Sequence, residues 1–222
     1  VIHPGDFKID HPPADSQPTD LGHLGRLCED GVFLLLSDST YAEMGGYTLS
    51  EQVVGDALEQ VIANSPGRVL IATFASLIAR IQQVMDAAAA HGRKVAVIGR
   101  SMVDNVKMSL EMGYLNDSKG VLVNLSQLRR LQPHQVVLMT TGSQGEPTSA
   151  LVRIANGDHK DVSIVPGDTV VISASPIPGN ETVVSRTIDN LYRQGAQVLY
   201  DRIATVHVHG HASQEELKIM LN

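Results

Sequence analysis

Val69-Leu70-Ile71-Ala72-Thr73, then Ser76 through an alanine-rich run to His91, then Val95-Ala96-Val97-Ile98, is the stretch whose reading decides the fold. The outer segments are short and continuously apolar, as expected of strands buried on both faces. Between them the alanines at 87–90 favour helix by propensity, and Gly92 ends it. Strand, helix and strand in that order make a right-handed crossover between parallel strands of one sheet.

The same alternation continues in both directions. Upstream, Ser50 is placed to cap a helix from Glu51 to Ala63, with Val53, Val54, Ala57, Leu58, Val61 and Ile62 as its apolar stripe; Pro66-Gly67 breaks it. Downstream, Arg100-Ser101 leads into a helix from Met102 to Met112, and Leu122 to Leu131 is a shorter mixed segment. Strands follow at Val136–Thr140, Thr169–Ile172 and Gln197–Tyr200, separated by a helix at Thr148–Ala155 and another that runs to about Arg193. Residues from about 50 to 200 therefore read as an α/β domain with a doubly wound, mostly parallel sheet flanked by helices.

The flanks read differently. Val1-Ile2-His3 is expected as an edge strand, followed to residue 31 by a loop rich in Pro and Asp. Val32-Phe33-Leu34-Leu35-Leu36 is expected as another strand buried on both faces, delivering Ser37-Asp38-Ser39-Thr40 at its carboxyl end. Near the other terminus, Val206-His207-Val208-His209-Gly210-His211-Ala212 alternates three histidines with small and apolar residues. If that stretch is extended, the histidines share one side. Gly210 leaves room for a backbone or a phosphate to approach. Ser213 and Glu216 have capping-box spacing, with Leu217, Met220 and Leu221 as a helical stripe.

Composition bounds the chemistry. The 222 residues carry a formal net charge of −7, which argues against non-specific coating of nucleic acid but not against a local basic channel. No apolar run is long enough to span a bilayer, so no membrane partner is expected. The single cysteine, Cys28, excludes an intramolecular disulfide framework and fits a reducing cytoplasm. The chain starts without Met and stops early in an amphipathic helix, so a piece of a longer protein is expected.

Several groups could carry chemistry. Asp6, beside Gly5, is a turn residue, a partner for Lys8, or a metal ligand. Asp38 either closes a turn with Ser39 or stands as a functional group at a strand end. Alternating histidines are a solvated or core face more often than a metal site. The loops Thr140-Thr141-Gly142-Ser143-Gln144-Gly145 and Ser173 to Asn180 are small, polar and suited either to turns or to phosphate, and Arg100 adds charge after the Val95–Ile98 strand. Neither loop has P-loop or dinucleotide-binding spacing.

Taken together, these stretches resemble the ribonuclease J family. The resemblance is carried by Gly5-Asp6-Phe7-Lys8, by Leu36 to Thr40 with Glu43 and Ser50-Glu51, and by Ala72-Thr73-Phe74-Ala75-Ser76. It continues through Gly92 to Val97, Gly99-Arg100-Ser101-Met102, Thr141 to Pro147, Ser175 to Asn180 and Gly210-His211-Ala212. It implies a β-CASP domain with flanking pieces of a metallo-β-lactamase αββα domain. Residues 1–45 would be the end of the first lactamase part, 46–203 the β-CASP domain, and 204–222 the return into the lactamase domain.

The resemblance implies an RNA-processing and RNA-decay nuclease, both endonuclease and 5′→3′ exonuclease. Its preferred substrate would be 5′-monophosphorylated RNA, hydrolysed with two zinc ions in the whole protein. Asp6 is then similar to the family's metal-bridging aspartate, Asp38 to the acidic residue of its first β-CASP motif, and His211 to the histidine of the second. His209 and Gly210 fall in the phosphate-pocket neighbourhood, and Ser143, Ser175 and Arg100 would help hold RNA. Two positions depart from the family pattern, His209 where Ser is usual and Leu77 where Asn is usual. The family's HxHxDH metal motif does not occur in these residues. This stretch alone is accordingly expected to be inactive and metal-free, and the whole protein a homo-oligomer. A non-catalytic RNA- or phosphate-binding module is the alternative, and a small-molecule enzyme using His211 and Asp38 a third reading.

Overall fold

The computed structural model describes residues 1–10 and 18–222, so the expected Pro- and Asp-rich loop falls partly on residues outside those described. The chain divides into two compact units, residues 54–207 and residues 1–53 with 208–222.

The larger unit is built on a parallel sheet of five strands: β3 (Val69–Ala72), β4 (Lys94–Ile98), β5 (Val136–Thr140), β6 (Thr169–Ile172) and β7 (Gln197–Tyr200), in the order β4-β5-β3-β6-β7. The expected α/β class and the central crossover are both present. Each strand reads as an apolar run because helices cover both faces. Leu70, Ala72, Leu138, Val170 and Ile172 share one buried cluster with Leu151 and Ile154 of α6 (Ala150–Ala155) and Leu191 of α7 (Glu181–Arg193). The alternate residues Val69, Ile71, Val137, Met139 and Val171 point the other way and are also fully buried. Right-handed crossovers place α3 (Ile78–Ala90), which runs outward from β3 to β4, on the face opposite α6 and α7, because the chain then reverses its direction across the sheet. The buried residues of α2 (Glu51–Asn64) are Val54, Leu58 and Ile62, a narrower stripe than expected, since Val53 is exposed. α4 (Arg100–Glu111) begins two residues earlier than its spacing indicated, and the mixed segment condenses to a single turn, α5 (Leu125–Leu128).

This strand order creates a switch point. The chain leaves β3 towards β4 but leaves the adjacent β6 towards β7. The two connections diverge above the carboxyl ends of β3 and β6, where open α/β sheets leave a crevice.

The smaller unit holds a two-stranded parallel ladder of β1 (Ile2–Gly5) and β2 (Leu35–Ser37). The expectation of a doubly buried strand at 32–36 is not met. The strand is three residues long, Phe33 is 95% exposed, and Val32, Leu34 and Leu36 are exposed too. Among the described residues its one hydrogen-bonded strand neighbour is β1. The segment expected to be all loop contains a helix, α1 (Leu21–Cys28), started by Asp20, whose carboxylate accepts from the His23 N–H at 2.8 Å. The final helix is α8 (Gln214–Leu221); its expected apolar stripe is only half-buried, with Leu221 exposed, and its one buried residue is Glu216. Among the described residues no helix is long and apolar enough to cross a membrane.

Candidate active site

Two parallel strands and the turn after them set the geometry of the smaller unit's polar site. β1 ends at Gly5 and β2 at Ser37, and these two residues are register partners. Asp6 and Asp38 therefore emerge side by side from the same end of the ladder. Asp38 then does both things its sequence context allowed. Its Oδ1 closes a turn by accepting from the Thr40 N–H at 2.9 Å and the Thr40 hydroxyl at 2.8 Å. Its Oδ2 meets Nδ1 of His211 at 2.8 Å. The Asp38 side chain is 3% exposed. Burial alone would raise its pKa, but the Thr40 N–H, the Thr40 hydroxyl and His211 outweigh it and bring the carboxyl down from 3.8 to about 2. Asp38 is ionised at neutral pH, so Nδ1 of His211 carries the proton in this contact and Nε2 is the nitrogen left to give or take one.

Asp6, Asp38 and His211 each offer a ligand atom, and the three atoms lie within 4.8 Å of one another. Two carboxylate oxygens and an imidazole nitrogen form a donor set that zinc-type cations accept, and three protein ligands are the usual number in a catalytic zinc site. The donor types suit such an ion, but Asp38 Oδ2 and His211 Nδ1 are engaged with each other, so the three do not stand ready as a complete ligand set. Asp6 is thus not an isolated carboxylate. Nor is it the partner of Lys8, whose ammonium faces Glu51 at 3.2 Å and Asp10 at 3.7 Å.

The histidine stretch forms no strand, yet it keeps strand-like alternation. Val206 and Val208 are buried, while His207, His209 and His211 are half-buried between them. His209 and His211 share a side, because both rings contact Tyr41. The His209 ring stacks on it at 3.9 Å with planes 15° apart, and the His211 ring lies at 5.7 Å, tilted by 43°. Burial lowers the His209 pKa, and the positive charges of Lys8 and His211 push the same way, against a backbone contact to His211. Gly210 is exposed, with open space around its α-carbon.

The turn carrying these histidines is tied down by Glu216. Its carboxylate is fully buried and accepts from three backbone N–H groups: Ile9 at 2.8 Å, Thr48 at 2.7 Å and Ser213 at 2.9 Å. Burial raises its pKa, but the Ser213, Thr48 and Ile9 N–H groups and the Thr48 hydroxyl hold it below the ordinary carboxylate value. Capping-box spacing revealed only the Ser213 contact. The other two donors are distant in sequence.

In the larger unit the polar loops after β5 and β6 are joined by a residue that spacing did not single out. Gln144 donates from Nε2 to the Ser175 carbonyl at 2.9 Å and accepts at Oε1 from the Ile177 N–H at 2.8 Å. Ser143 is 3% exposed and Ser175 half-buried, whereas Arg100 is exposed at the start of α4. Beneath the β6 loop, buried Arg80 donates to Ser173 Oγ at 2.6 Å, which donates to the Val206 carbonyl at 2.6 Å. Tyr41, Thr40, Gln144 and Arg80 were all missed. Only Thr40 had a local signal, its place two residues after an aspartate.

Residues 66–191 match the profile of the family described as "Ribonuclease J, beta-CASP domain". Over its whole length the chain is 49% identical to Ribonuclease J of Thermus thermophilus, of which it covers 39%. It is 46% identical to Ribonuclease J of Mycobacterium tuberculosis and 45% identical to Ribonuclease J2 of Bacillus subtilis, covering 40% of each. The chain thus spans about two fifths of the length of these curated relatives.

Proposed function

We propose, from the premise that this chain belongs to the ribonuclease J β-CASP family, that it is part of a metal-dependent nuclease hydrolysing phosphodiester bonds in RNA. The observation that carries the reading is the convergence of Asp6, Asp38 and His211 within 4.8 Å. These residues come from the amino- and carboxyl-terminal parts of the chain and meet at one end of the β1–β2 ladder.

The roles follow from the contacts. Asp6 is a ligand for zinc, two ions being used by the whole protein. When bound, zinc supplies a Lewis acid that makes hydroxide available near neutral pH and offsets charge on the phosphoryl oxygens. Asp38 keeps its negative charge and fixes the His211 tautomer, so that Nε2 of His211 exchanges a proton with a phosphate or leaving-group oxygen. Tyr41 packs against His209 and His211 and sets their common orientation. His209 and Gly210 receive the 5′-phosphate, and a histidine at this place adds an aromatic face to that pocket. Ser175 and Arg100 contact the RNA backbone, and Ser143, being buried, shapes the loop after β5 rather than touching it. The preferred substrate is 5′-monophosphorylated RNA, the protein acts in the cytoplasm, and the whole protein is a homo-oligomer.

Residues 46–203 are read as the β-CASP domain, with residues 1–45 and 204–222 as pieces of a metallo-β-lactamase domain. The compact unit that joins residues 1–53 to 208–222 supports this division. The 222 residues alone are read as inactive and metal-free, because Asp38 and His211 already satisfy each other and Asp6 is exposed.

The test is elemental zinc analysis of the 222-residue chain and of the whole protein, with cleavage of a 5′-monophosphorylated RNA by each. Zinc and cleavage in the whole protein only are expected. Cleavage by neither would overturn the nuclease reading and favour a phosphate-binding module. Zinc and cleavage in the shorter chain would show that Asp6, Asp38 and His211 suffice.

A further inference from the structure

The carboxyl ends of β4 and β5 border an open polar pocket, of about 670 Å³, a volume within the range of small-ligand sites. Its walls carry Arg100, Ser101, Thr141, Thr148, Arg153 and His159, with Glu146 as the one carboxylate. All of these lie in the larger unit, and none belongs to the Asp6, Asp38 and His211 cluster.

Three features of this cavity point to an anion. The first is charge. Two guanidinium groups face one carboxylate, and among the described residues the Arg100 side chain makes no hydrogen bond or ion pair. Arg153 spends one N–H on the Asp158 carbonyl at 3.1 Å and keeps the rest of its fork. The second is the fixed tautomer of His159. Its Nδ1 accepts from the Asp161 and Val162 N–H groups at 3.3 and 3.2 Å, so a neutral ring carries its proton on Nε2, as a donor. The third is the floor. Gly99 has φ 98°, and a Cβ there would stand 2.8 Å from Thr141 Oγ1. Glycine lets the first turn of the twelve-residue α4 sit against β5 with its free amides bordering the cavity.

We propose that this cavity binds a single phosphate group, clamped by Arg100 and Arg153 and completed by His159 Nε2–H and the α4 amides. A guanidinium pair matches the tetrahedral oxygens of a phosphate and is worth far more to it than a lone lysine. The phosphate comes from one of two sources, a free nucleoside monophosphate or the sugar-phosphate backbone of a bound RNA. The inference deepens the nuclease reading and rests on it only for the second source.

Calorimetric titration of the whole protein tests it, with inorganic phosphate, UMP and a 5′-hydroxyl RNA as separate probes. Arg100→Gln and Arg153→Gln should each weaken phosphate binding about tenfold or more, and Lys107→Gln, an exposed cation outside the cavity, should leave it unchanged. Arg100 is exposed and, among the described residues, without a partner, so its replacement leaves folding intact. Displacement of phosphate by UMP but not by the RNA identifies a mononucleotide site. Displacement by the RNA identifies a backbone contact. Absence of saturable binding, or binding that ignores both arginine substitutions, overturns the proposal. The readout involves no cleavage, so loss of the nuclease reading would not be mistaken for loss of this site.

Discussion

Glu216→Gln isolates the energetics that hold the histidine turn in place. The buried carboxylate accepts from the Ile9 N–H at Oε1 and from the Thr48 and Ser213 N–H groups at Oε2. An amide has one acceptor oxygen. If its NH2 replaces Oε2, two donors are orphaned; if it replaces Oε1, only the Ile9 N–H is. The second arrangement wins. It sets the amide's NH2 donor against the buried Ile9 N–H, which is left unsatisfied at about 1–3 kcal/mol, and turns two charge-assisted hydrogen bonds into neutral ones, at roughly 0.5–1 kcal/mol each. The sum is about 3 kcal/mol, or roughly a hundredfold in a local opening equilibrium. Amide hydrogen exchange reads it directly. At pH 6 the Ile9 amide should exchange about 100 times faster in the variant, with smaller changes at Thr48 and Ser213.

The pH dependence supplies a second signature. The folded pKa of Glu216 is depressed, so its stabilisation is present above the ordinary value of 4.5 and is lost as pH falls through the folded pKa. After correction for intrinsic exchange, Ile9 protection should decline below about pH 4.5 in the native protein and stay flat in Glu216→Gln. An Ile9 rate within threefold of native at pH 6, in a folded variant, would refute the reasoning.

Further outcomes follow from the same contacts. Asp38→Asn in the whole protein should lower RNA cleavage at least about a hundredfold, since the amide no longer fixes the orientation and tautomer of His211; activity within threefold of native would remove Asp38 from the mechanism. In the native protein the stability supplied by Asp38 should persist down to about pH 3.8 and disappear towards pH 2, a loss that acid titration should not find in Asp38→Asn. Gly142→Ala should destabilise the larger unit by about 2–4 kcal/mol, combining strain at positive φ with loss of a serine hydrogen bond. Its φ is 109°, and a Cβ would lie 2.3 Å from Ser149 Oγ, which now donates to the Glu146 carbonyl at 2.6 Å. Urea unfolding reads this, and an unchanged midpoint would mean that the loop yields more easily than its contacts indicate.

The sequence by itself determined the larger unit. Runs such as Val69–Ala72 and Val136–Thr140 are apolar throughout because strands covered on both faces leave no solvent side, and Gly and Pro stops separate them from helices. These are local signals, legible without a partner strand. Asp6, Asp38 and His211 were legible through the motifs they stand in, and Ser213-Glu216 through its spacing. Strand order, by contrast, was decided in three dimensions, because parallel pairing places β3 between β5 and β6 with no mark in its own residues. In the 32–36 run, apolar character shows only that a segment can be buried, and among the described residues β1 is its one strand neighbour. The contacts of the candidate site also lay beyond local reading. Asp38 meets His211 across 173 residues, Glu216 meets Ile9 across 207, and Tyr41 meets His209 only because the chain returns to its beginning. A side chain's residue type fixes what it can donate or accept; only tertiary packing fixes which distant partner stands within 3 Å of it.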